Sequence, residues 1–218
     1  MNDRSYSFIG MTESVDGRLA RGLRTKSAIL ARAADIASAD GLEGLSIGRL
    51  AQECGTSKSN IAAHFGSKVQ LQIAAIDHAA DVLATHVLTP TLAVQEGLPR
   101  LQAFYQHWMD YSRRRVFSGG CFFAAVTAEY DARAGVIRDV LRDRLSNWIS
   151  LQQTLIREAQ AAGEIRADVD PVQLAFELDA FALAANAQAV LHDDDAAYAR
   201  AATAIASRID IVRKVTRT

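Results

Sequence analysis

A run of polar side chains early in the chain has the chemistry of a surface that reads DNA. Lys58, Ser59 and Asn60 stand side by side, and His64 follows one helical turn later. An asparagine amide can pair with two atoms of an adenine, and a lysine ammonium can reach a guanine or a phosphate. We therefore predict that Asn60 contacts a base and that Lys58 and Ser59 lie beside it in the same groove.

Two short helices joined by a tight turn must position these side chains. Leu50 lies on the apolar face of the first helix, and Gly55 follows at the turn, where a residue without a Cβ can adopt a positive φ. Ser57 is placed to cap the second helix, whose apolar stripe consists of Ile61 and Phe65. A helix that is anchored on one side and polar on the other suits the major groove.

Basic residues are concentrated just before this helix pair. Residues 1–68 carry nine Lys and Arg against seven Asp and Glu, a net charge of +2, whereas residues 69–218 have a net charge of −3. Clustered cations fit phosphate binding, and a solvated helix face is the alternative; the adjoining helix pair favours DNA. The basic residues of this stretch are Arg18, Arg21, Arg24, Lys26 and Arg32.

A polar segment with three glycines, residues 1–22, precedes the first expected helix. We predict that this segment is a flexible arm, followed by a helix over about residues 24–40 that stops at Gly41. Arg18 and Arg21 of the arm can enter a minor groove beside the main site. Plain disorder of the arm is an equal alternative.

The segment that includes this helix pair resembles the DNA-binding segment of the TetR family of bacterial transcription regulators. One position departs from the family pattern, because Ala62 stands where a tyrosine that touches a phosphate is usual. The residues that carry the resemblance, in order and spacing, are Ile29, Leu30, Ala33, Gly41, Ser46, Ile47, Leu50, Ala51, Gly55, Ser57, Lys58, Ile61, His64, Phe65, Ser67, Lys68 and Leu71.

The resemblance implies which side chains hold the DNA backbone. Ser46, Ser57, His64 and Lys68 match family positions that contact it. Arg49 either adds a contact from the preceding helix or is an ordinary surface residue. Because Ala62 cannot donate a hydrogen bond, phosphate binding is expected to depend more on Lys68, His64 and the arginines of the arm.

The whole chain is expected to be all-α, with about nine helices. It has 218 residues, half of them hydrophobic, only three prolines, and no runs of alternating β-branched residues. We predict a three-helix, homeodomain-like helix-turn-helix domain over residues 23–68. A helical bundle for effector binding and dimerisation is predicted over residues 69–218. The helix that joins the domains is expected to end near Val87, before Pro90.

Aromatic residues concentrate in the middle helices of the second domain. Most such residues are ordinary core, but the resemblance implies a ligand cavity in this bundle. Without a strong cationic or metal signature, we expect a small apolar or aromatic effector. The residues expected to line its pocket are Phe104, Tyr105, Trp108, Phe122, Phe123 and Trp148.

The last two helices are expected to pair with a second copy of the chain. The segment 172–191 is apolar nearly all round, and the segment 196–214 repeats an apolar stripe. A helix that is apolar on every side must be buried on every side. We therefore predict a homodimer through residues 172–191 and 196–214.

Enzyme chemistry is not indicated. The five histidines are scattered without metal-ligand spacing, Cys54 and Cys121 do not suggest a disulfide framework, and no phosphate loop or nucleophile motif is present. Glu129 and Asp131 lie two apart on one helix and so point in different directions. We expect no metal and no cofactor. The lack of a long apolar run or a signal-peptide core predicts a cytoplasmic protein without membrane contact.

The sequence therefore favours a homodimeric regulator that binds a palindromic double-stranded DNA operator. Acting as a repressor, it would be released from the operator by the effector. The alternative is a helical small-molecule-binding or scaffold protein that has lost DNA binding, which Ala62 favours. An enzyme is the third hypothesis.

Overall fold

The structure, a computed structural model, describes residues 10–214, without the side chains of residues 10–19 and 21. Within this range the chain forms nine helices and no β-strand, only an isolated bridge between Ile165 and Arg213. The all-α prediction is confirmed. The helices are α1 (Gly10–Gly44), α2 (Ile47–Glu53), α3 (Lys58–Phe65), α4 (Lys68–Leu83, continued through a π-helical turn at Ala84–Leu88 to Thr89–Leu92), α5 (Leu98–Arg113), α6 (Phe122–Tyr130), α7 (Val136–Ala161), α8 (Pro171–His192) and α9 (Ala196–Val212).

Helix α1 begins earlier than the sequence suggested. Its backbone is helical from Gly10, so residues 10–22, which we assigned to the flexible arm, continue the helix. Glycines cost a helix about 1 kcal/mol each relative to alanine, and the leucine, alanine and arginine residues between them are strong helix formers. The side chains of Arg18 and Arg21, and all of residues 1–9, lie outside the described part of the chain.

The expected stop at Gly41 is present as a kink. Gly41 has φ +77° and ψ 164°, which breaks the helical path of α1 three residues before its end. A positive φ of this size is accessible to glycine and strained for other residues. The kink turns the chain toward α2 and brings the backbone of Leu42 and Glu43 against the second domain.

Side-chain caps begin several of the helices, and the predicted cap at Ser57 is one of them. Ser46 accepts a hydrogen bond from the Arg49 amide at 3.1 Å, and Ser57 accepts one from the Asn60 amide at 3.1 Å. Asp170 caps α8 through the Val172 amide at 2.9 Å. Each cap satisfies one of the amides that a helix start leaves without a partner.

Two hydrophobic cores organise the chain, and α1 and α4 contribute to both. The smaller core joins α1, α2, α3 and the start of α4, with Leu50 and Ile61 fully buried. The larger core joins the rest of α4 to α5–α9 and also takes Ala37 and Leu42 from the first domain. Since α4 passes from one core into the other, a displacement in the larger core can reach the start of α4 through a single helix.

The connecting helix α4 does not end before Pro90. It widens into a π-helical turn at Ala84–Leu88 and then continues to Leu92 with Pro90 in its last segment. Proline removes one backbone donor from a helix and clashes with the preceding turn. The chain stays helical through the wider turn and past Pro90, so the predicted boundary near Val87 was too early.

Helices α8 and α9 pack against each other at the end of the fold, and α8 also packs on α7. One side of α8 is buried in the larger core, but its other side carries large apolar residues that this chain alone leaves in solvent. By length and composition α8 could cross a membrane, contrary to our expectation, but core helices of soluble proteins pass the same test. The exposed fractions are 53% for Val172, 70% for Phe176, 40% for Leu183 and 78% for Leu191.

Candidate nucleic-acid interface

The residues predicted to read bases lie together at the exposed start of α3. Lys58, Ser59 and Asn60 are all exposed, and Ile61 beneath them is fully buried in the smaller core. The Asn60 amide nitrogen donates to Thr56 Oγ1 at 2.9 Å, which fixes the side chain at the outer edge of the turn.

Two side chains at the start of the preceding helix that were predicted to contact DNA, Arg49 and Ser46, already have partners within the protein. Arg49 forms an ion pair with Asp40 and donates to the Gly44 carbonyl oxygen at 3.4 Å. Ser46 is occupied as the cap of α2. A serine cap can still present its hydroxyl to a phosphate, whereas Arg49 must exchange a carboxylate for one.

The remaining predicted contacts lie around the edge of α3. Lys26 places its ammonium 5.9 Å from the centre of the Phe65 ring, and the His64 ring is tilted against Phe65 at 6.1 Å. Arg24 is exposed two residues before Lys26 along α1, and Ala62 is only partly exposed. The structure thus brings Lys26 and His64 to one side of α3, while Arg24 extends from α1.

Lys68 at the start of α4 is paired with a carboxylate of its own domain. Its ammonium lies 2.7 Å from Glu43 Oε2 and 3.1 Å from the Glu43 carbonyl oxygen. Sequence reasoning did not identify Glu43. The partners are 25 residues apart, so no local pattern predicts their contact.

The aromatic residues predicted to line a pocket all belong to the larger core. Phe104 contacts the Tyr105 ring at 5.1 Å and the Trp148 ring at 4.7 Å, and Phe122 contacts Phe123 at 5.3 Å. Trp108 is also buried, and only Trp148 is partly exposed. An open groove of about 510 Å³ lies between α5 and α9, and none of these six residues lines it.

A largely buried carboxylate lies beside these rings, in what we call the core cluster: Tyr105, Trp148, Gln152 and Asp179. Tyr105 donates its hydroxyl to Gln152 Oε1 at 2.6 Å. Gln152 donates to Asp179 Oδ1 at 2.9 Å, and the Trp148 indole nitrogen donates to the same oxygen at 3.3 Å.

Asp179 has no cation as a partner within the described residues. Burial raises the pKa of its carboxyl, and the hydrogen bonds from Gln152 and Trp148 offset only part of that effect. Sequence reasoning missed this residue, although a carboxylate inside a largely apolar helix is a usable signal, since burying an unpaired charge is costly. In the described part of the chain, no three His, Cys, Asp or Glu side chains converge as metal ligands would.

Comparisons with known proteins agree with this architecture. The model of the tetR family of bacterial regulatory proteins matches residues 29–75, and the model of the tetracyclin repressor-like C-terminal domain matches residues 97–205, half of the chain. No curated protein sequence matches the chain.

Solved structures show the same fold. A TetR transcriptional regulator from Chloroflexus aurantiacus J-10-FL is 27% identical, with a TM-score of 0.83 over 90% of this chain and 100% of its own. A TetR-family regulator from Cytophaga hutchinsonii is 20% identical, with a TM-score of 0.77 over 88% of this chain and 96% of its own. AibR, solved in complex with isovaleryl coenzyme A and operator DNA, is 21% identical, with a TM-score of 0.66 over 86% of this chain and 97% of its own.

These findings also decide between the classes of function. Proteins of this family are DNA-binding transcription factors and not enzymes, which confirms the expectation from the sequence. The helix-turn-helix is α2 and α3, and the carboxyl-terminal bundle is the domain in which the family typically binds ligands and dimerises. The chain belongs to the TetR family of bacterial transcription regulators.

Proposed function

We propose that this regulator is a repressor that binds a palindromic operator and is released from it by a small apolar or aromatic effector. The observation that carries the DNA-binding part is the exposed row Lys58, Ser59 and Asn60 above the buried Ile61. A short helix that is anchored by a buried face and carries polar side chains at its amino-terminal end can enter a major groove and contact base edges. The regulator acts in the cytoplasm, where its operator lies.

Contacts to the DNA backbone surround this row. Lys26, His64 and Lys68 lie beside α3, Ser46 and Ser57 are at helix starts, and Arg24 and Arg49 extend the basic surface. Phosphate contacts set register and affinity but carry no sequence information. Asn60 is therefore the residue on which base preference depends most.

The operator-binding form is a homodimer through α8 and α9. Val172, Phe176, Leu183 and Leu191 are large apolar side chains on one helix that a single chain leaves exposed. A two-fold axis places the same surface of both copies in contact and spaces the two α3 helices for half-sites about 34–36 Å apart, or a multiple of that distance.

The effector binds among the aromatic rings of the larger core. Phe104, Tyr105, Trp108, Phe122, Phe123 and Trp148 supply the apolar surface expected of such a site. AibR, a protein of the same fold, was solved with both an acyl coenzyme A and operator DNA, which supports ligand response in this architecture. A ligand that binds the DNA-free form more tightly must lower operator affinity by the same factor.

An Asn60→Ala variant tests base reading. On operator and scrambled duplexes measured by fluorescence anisotropy, we expect it to lose preference at one base position by about 1–3 kcal/mol. Gln52→Ala is the matched control, because Gln52 is an exposed amide on the preceding helix, α2, and is not among the residues predicted to contact DNA. Equal weakening of both duplexes by Asn60→Ala means that Asn60 does not read a base.

A Phe176→Asp variant tests the dimer. We expect a monomer at micromolar concentration by light scattering, and operator affinity lowered by about 10²–10⁴-fold because two half-sites no longer bind together. Leu92→Asp is the control, since Leu92 is 57% exposed but lies at the end of α4. A wild-type chain that is monomeric at this concentration contradicts the proposal.

A ligand screen by thermal shift, followed by operator release, tests the effector. Apolar and aromatic compounds that raise the Tm are added to the protein–operator complex, and release is read as a fall in anisotropy. A Trp108→Ala variant should lose both responses together. If stabilising compounds leave operator binding unchanged, the effector part of the proposal is wrong.

A helical ligand-binding protein that has lost DNA binding is the second candidate. Ala62 favours it, because the usual tyrosine hydroxyl is missing from α3. A gel shift with the DNA upstream of its own gene separates the two candidates, since only the regulator retards that DNA.

A further inference from the structure

A network of polar side chains joins the DNA-binding domain to the second domain where α6 ends. We call it the junction cluster: Glu43 after the kink of α1, Lys68 and Gln72 on α4, and Glu129 and Tyr130 on α6. Glu43 and Lys68 lie in the predicted DNA-binding domain, Gln72 follows one turn later on α4, and Glu129 and Tyr130 lie in the second domain. The cluster therefore joins the domain proposed to bind DNA to the domain proposed to bind the effector.

Glu43 occupies the ammonium of Lys68. The Lys68 nitrogen lies 2.7 Å from one carboxylate oxygen of Glu43 and 3.1 Å from its backbone oxygen. These two contacts use two of the three donors of the ammonium. A DNA phosphate offers the same kind of anionic oxygen, so it has to compete with Glu43 for Lys68.

The second domain holds Glu43 in this position. Tyr130 donates its hydroxyl to the other carboxylate oxygen of Glu43 at 2.7 Å. Glu129 accepts hydrogen bonds from the backbone amides of Leu42 at 2.7 Å and Glu43 at 2.9 Å. A Cβ at Gly41 would lie 2.6 Å from the Glu129 carboxylate, so this close approach depends on the glycine.

Gln72, a buried residue of α4, is the remaining member of the network. Its side chain is 3% exposed and donates to the Leu42 carbonyl oxygen at 2.8 Å and to the Tyr130 hydroxyl oxygen at 3.3 Å. Tyr130 thus receives one hydrogen bond and donates another, which fixes the direction of its hydroxyl toward Glu43. The hydrogen bonds from Lys68 and then Tyr130 lower the pKa of Glu43, so its carboxylate remains ionised at neutral pH.

We infer that Glu43 is an internal competitor for the Lys68 phosphate contact and that α6, through Tyr130 and Glu129, positions it. In the free protein Glu43 takes the place of a phosphate on Lys68, which lowers DNA affinity. When α6 moves, Glu43 loses or gains its support and the availability of Lys68 changes. This inference rests on the proposed DNA contact of Lys68.

A Glu43→Gln variant of the full-length dimer tests the competition. On a random-sequence 30-base-pair duplex, we expect tighter binding and a plot of log K against log salt that is steeper by about 0.9, the value for one additional phosphate contact. Glu96→Gln is the matched control, because Glu96 is an ion-paired glutamate whose partner, Arg100, lies on α5 in the second domain, outside the predicted DNA-binding surface. It removes the same charge but should leave the salt slope unchanged.

A double-mutant cycle with Lys68→Ala assigns the effect to this pair. Lys68→Ala should flatten the salt slope by about one unit in the Glu43→Gln background, where the ammonium is free for a phosphate, and by less where Glu43 is present. In the Lys68→Ala background, Glu43→Gln should no longer change the slope. If Glu43→Gln steepens the slope equally with and without Lys68, its effect is general charge removal and the inference is wrong.

A Tyr130→Phe variant tests the positioning by α6. It removes one hydroxyl from the second domain, so we expect a slope change in the same direction as Glu43→Gln, but smaller. A purely structural role would lower the Tm of Tyr130→Phe without altering the salt slope.

The outcomes also separate this inference from the proposed function. If Lys68→Ala leaves DNA binding unchanged even in the Glu43→Gln variant, while Asn60→Ala alters base preference, the regulator binds DNA without Lys68, and only the inference fails. If wild type binds neither the random duplex nor the DNA upstream of its gene, the proposed function fails and the inference fails with it.

Discussion

Two carboxylates of this protein, Glu43 and Asp179, illustrate opposite ways of placing a negative charge. Glu43 is exposed, accepts hydrogen bonds from Lys68 and Tyr130, and has its pKa lowered by them. Asp179 is largely buried and accepts hydrogen bonds only from the neutral donors of Gln152 and Trp148, and burial raises its pKa. Each carboxylate accepts two side-chain hydrogen bonds. Their pKa values shift in opposite directions because only Glu43 is both exposed to solvent and paired with a cation.

The difference suggests separate uses for the two groups. A solvated carboxylate that pairs with a lysine costs little and can be exchanged for a phosphate. A buried carboxylate without a cation costs stability that the fold must supply elsewhere. Groups of this second kind are concentrated at functional sites, and Asp179 lies against the aromatic rings where we place the effector.

The largest expected effect on stability comes from removing Gln152, the uncharged side chain that donates a hydrogen bond to Asp179. In a Gln152→Leu variant, Tyr105 loses the acceptor of its hydroxyl and Asp179 loses a donor. A buried hydroxyl without a partner, together with a carboxylate left with one of its two donors, should lower the free energy of unfolding by about 2–4 kcal/mol, measured by urea denaturation. Gln153→Leu is the control, because Gln153 is partly exposed and bonds only to Arg157 at 3.3 Å. Equal losses for the two variants would mean that the core cluster adds nothing to stability.

Local patterns in the sequence predicted the helices and their caps well. Ser57 caps the helix that follows it, as expected, because a cap depends on residues within one turn. Those same local signals placed Lys58 and Asn60 at the start of α3. The resemblance to the family predicted the fold class in the same way, because its residues follow one another at the spacing of successive short helices.

The contacts between distant parts of the chain could not be predicted. Tyr130 and Glu43 are 87 residues apart, and their hydrogen bond exists only because α6 packs against the kink of α1. The early start of α1 and the π-helical turn before Pro90 were also missed. In each case packing of whole helices outweighs the local preference of a glycine or a proline.

An intermediate effect is expected when the buried charge itself is removed. Asp179→Asn keeps an acceptor for Gln152 and Trp148 but carries no charge, so it should raise the Tm at pH 7 by about 2–4 °C, the shift that 1 kcal/mol produces in a protein of this size. Because the folded pKa is raised above the ordinary value of 3.8, acid protonates the folded state first and relieves the cost. The gain in Tm should therefore be present at neutral pH and shrink as the pH falls through the folded pKa toward 4. A gain that is independent of pH would show that the charge of Asp179 is not its cause.

The smallest effect on stability is expected for Glu43→Gln, and it should be a loss, whereas Asp179→Asn should give a gain. The pKa of Glu43 is lowered from its ordinary value of 4.5, so its stabilisation is present above that value and is lost as the pH falls through the folded pKa. Water and salt screen an exposed pair, so Glu43→Gln should lower the free energy of unfolding at pH 7 by less than about 1 kcal/mol.

Below the folded pKa of Glu43, the wild type and the Glu43→Gln variant should unfold at the same denaturant concentration, because the wild-type carboxyl is then also neutral. A larger loss of stability at pH 7 would mean that Glu43 is needed to hold the two domains together, and any change in its DNA binding could then follow from altered folding. With a small loss, a steeper salt dependence of DNA binding in the same variant reports the release of Lys68 itself.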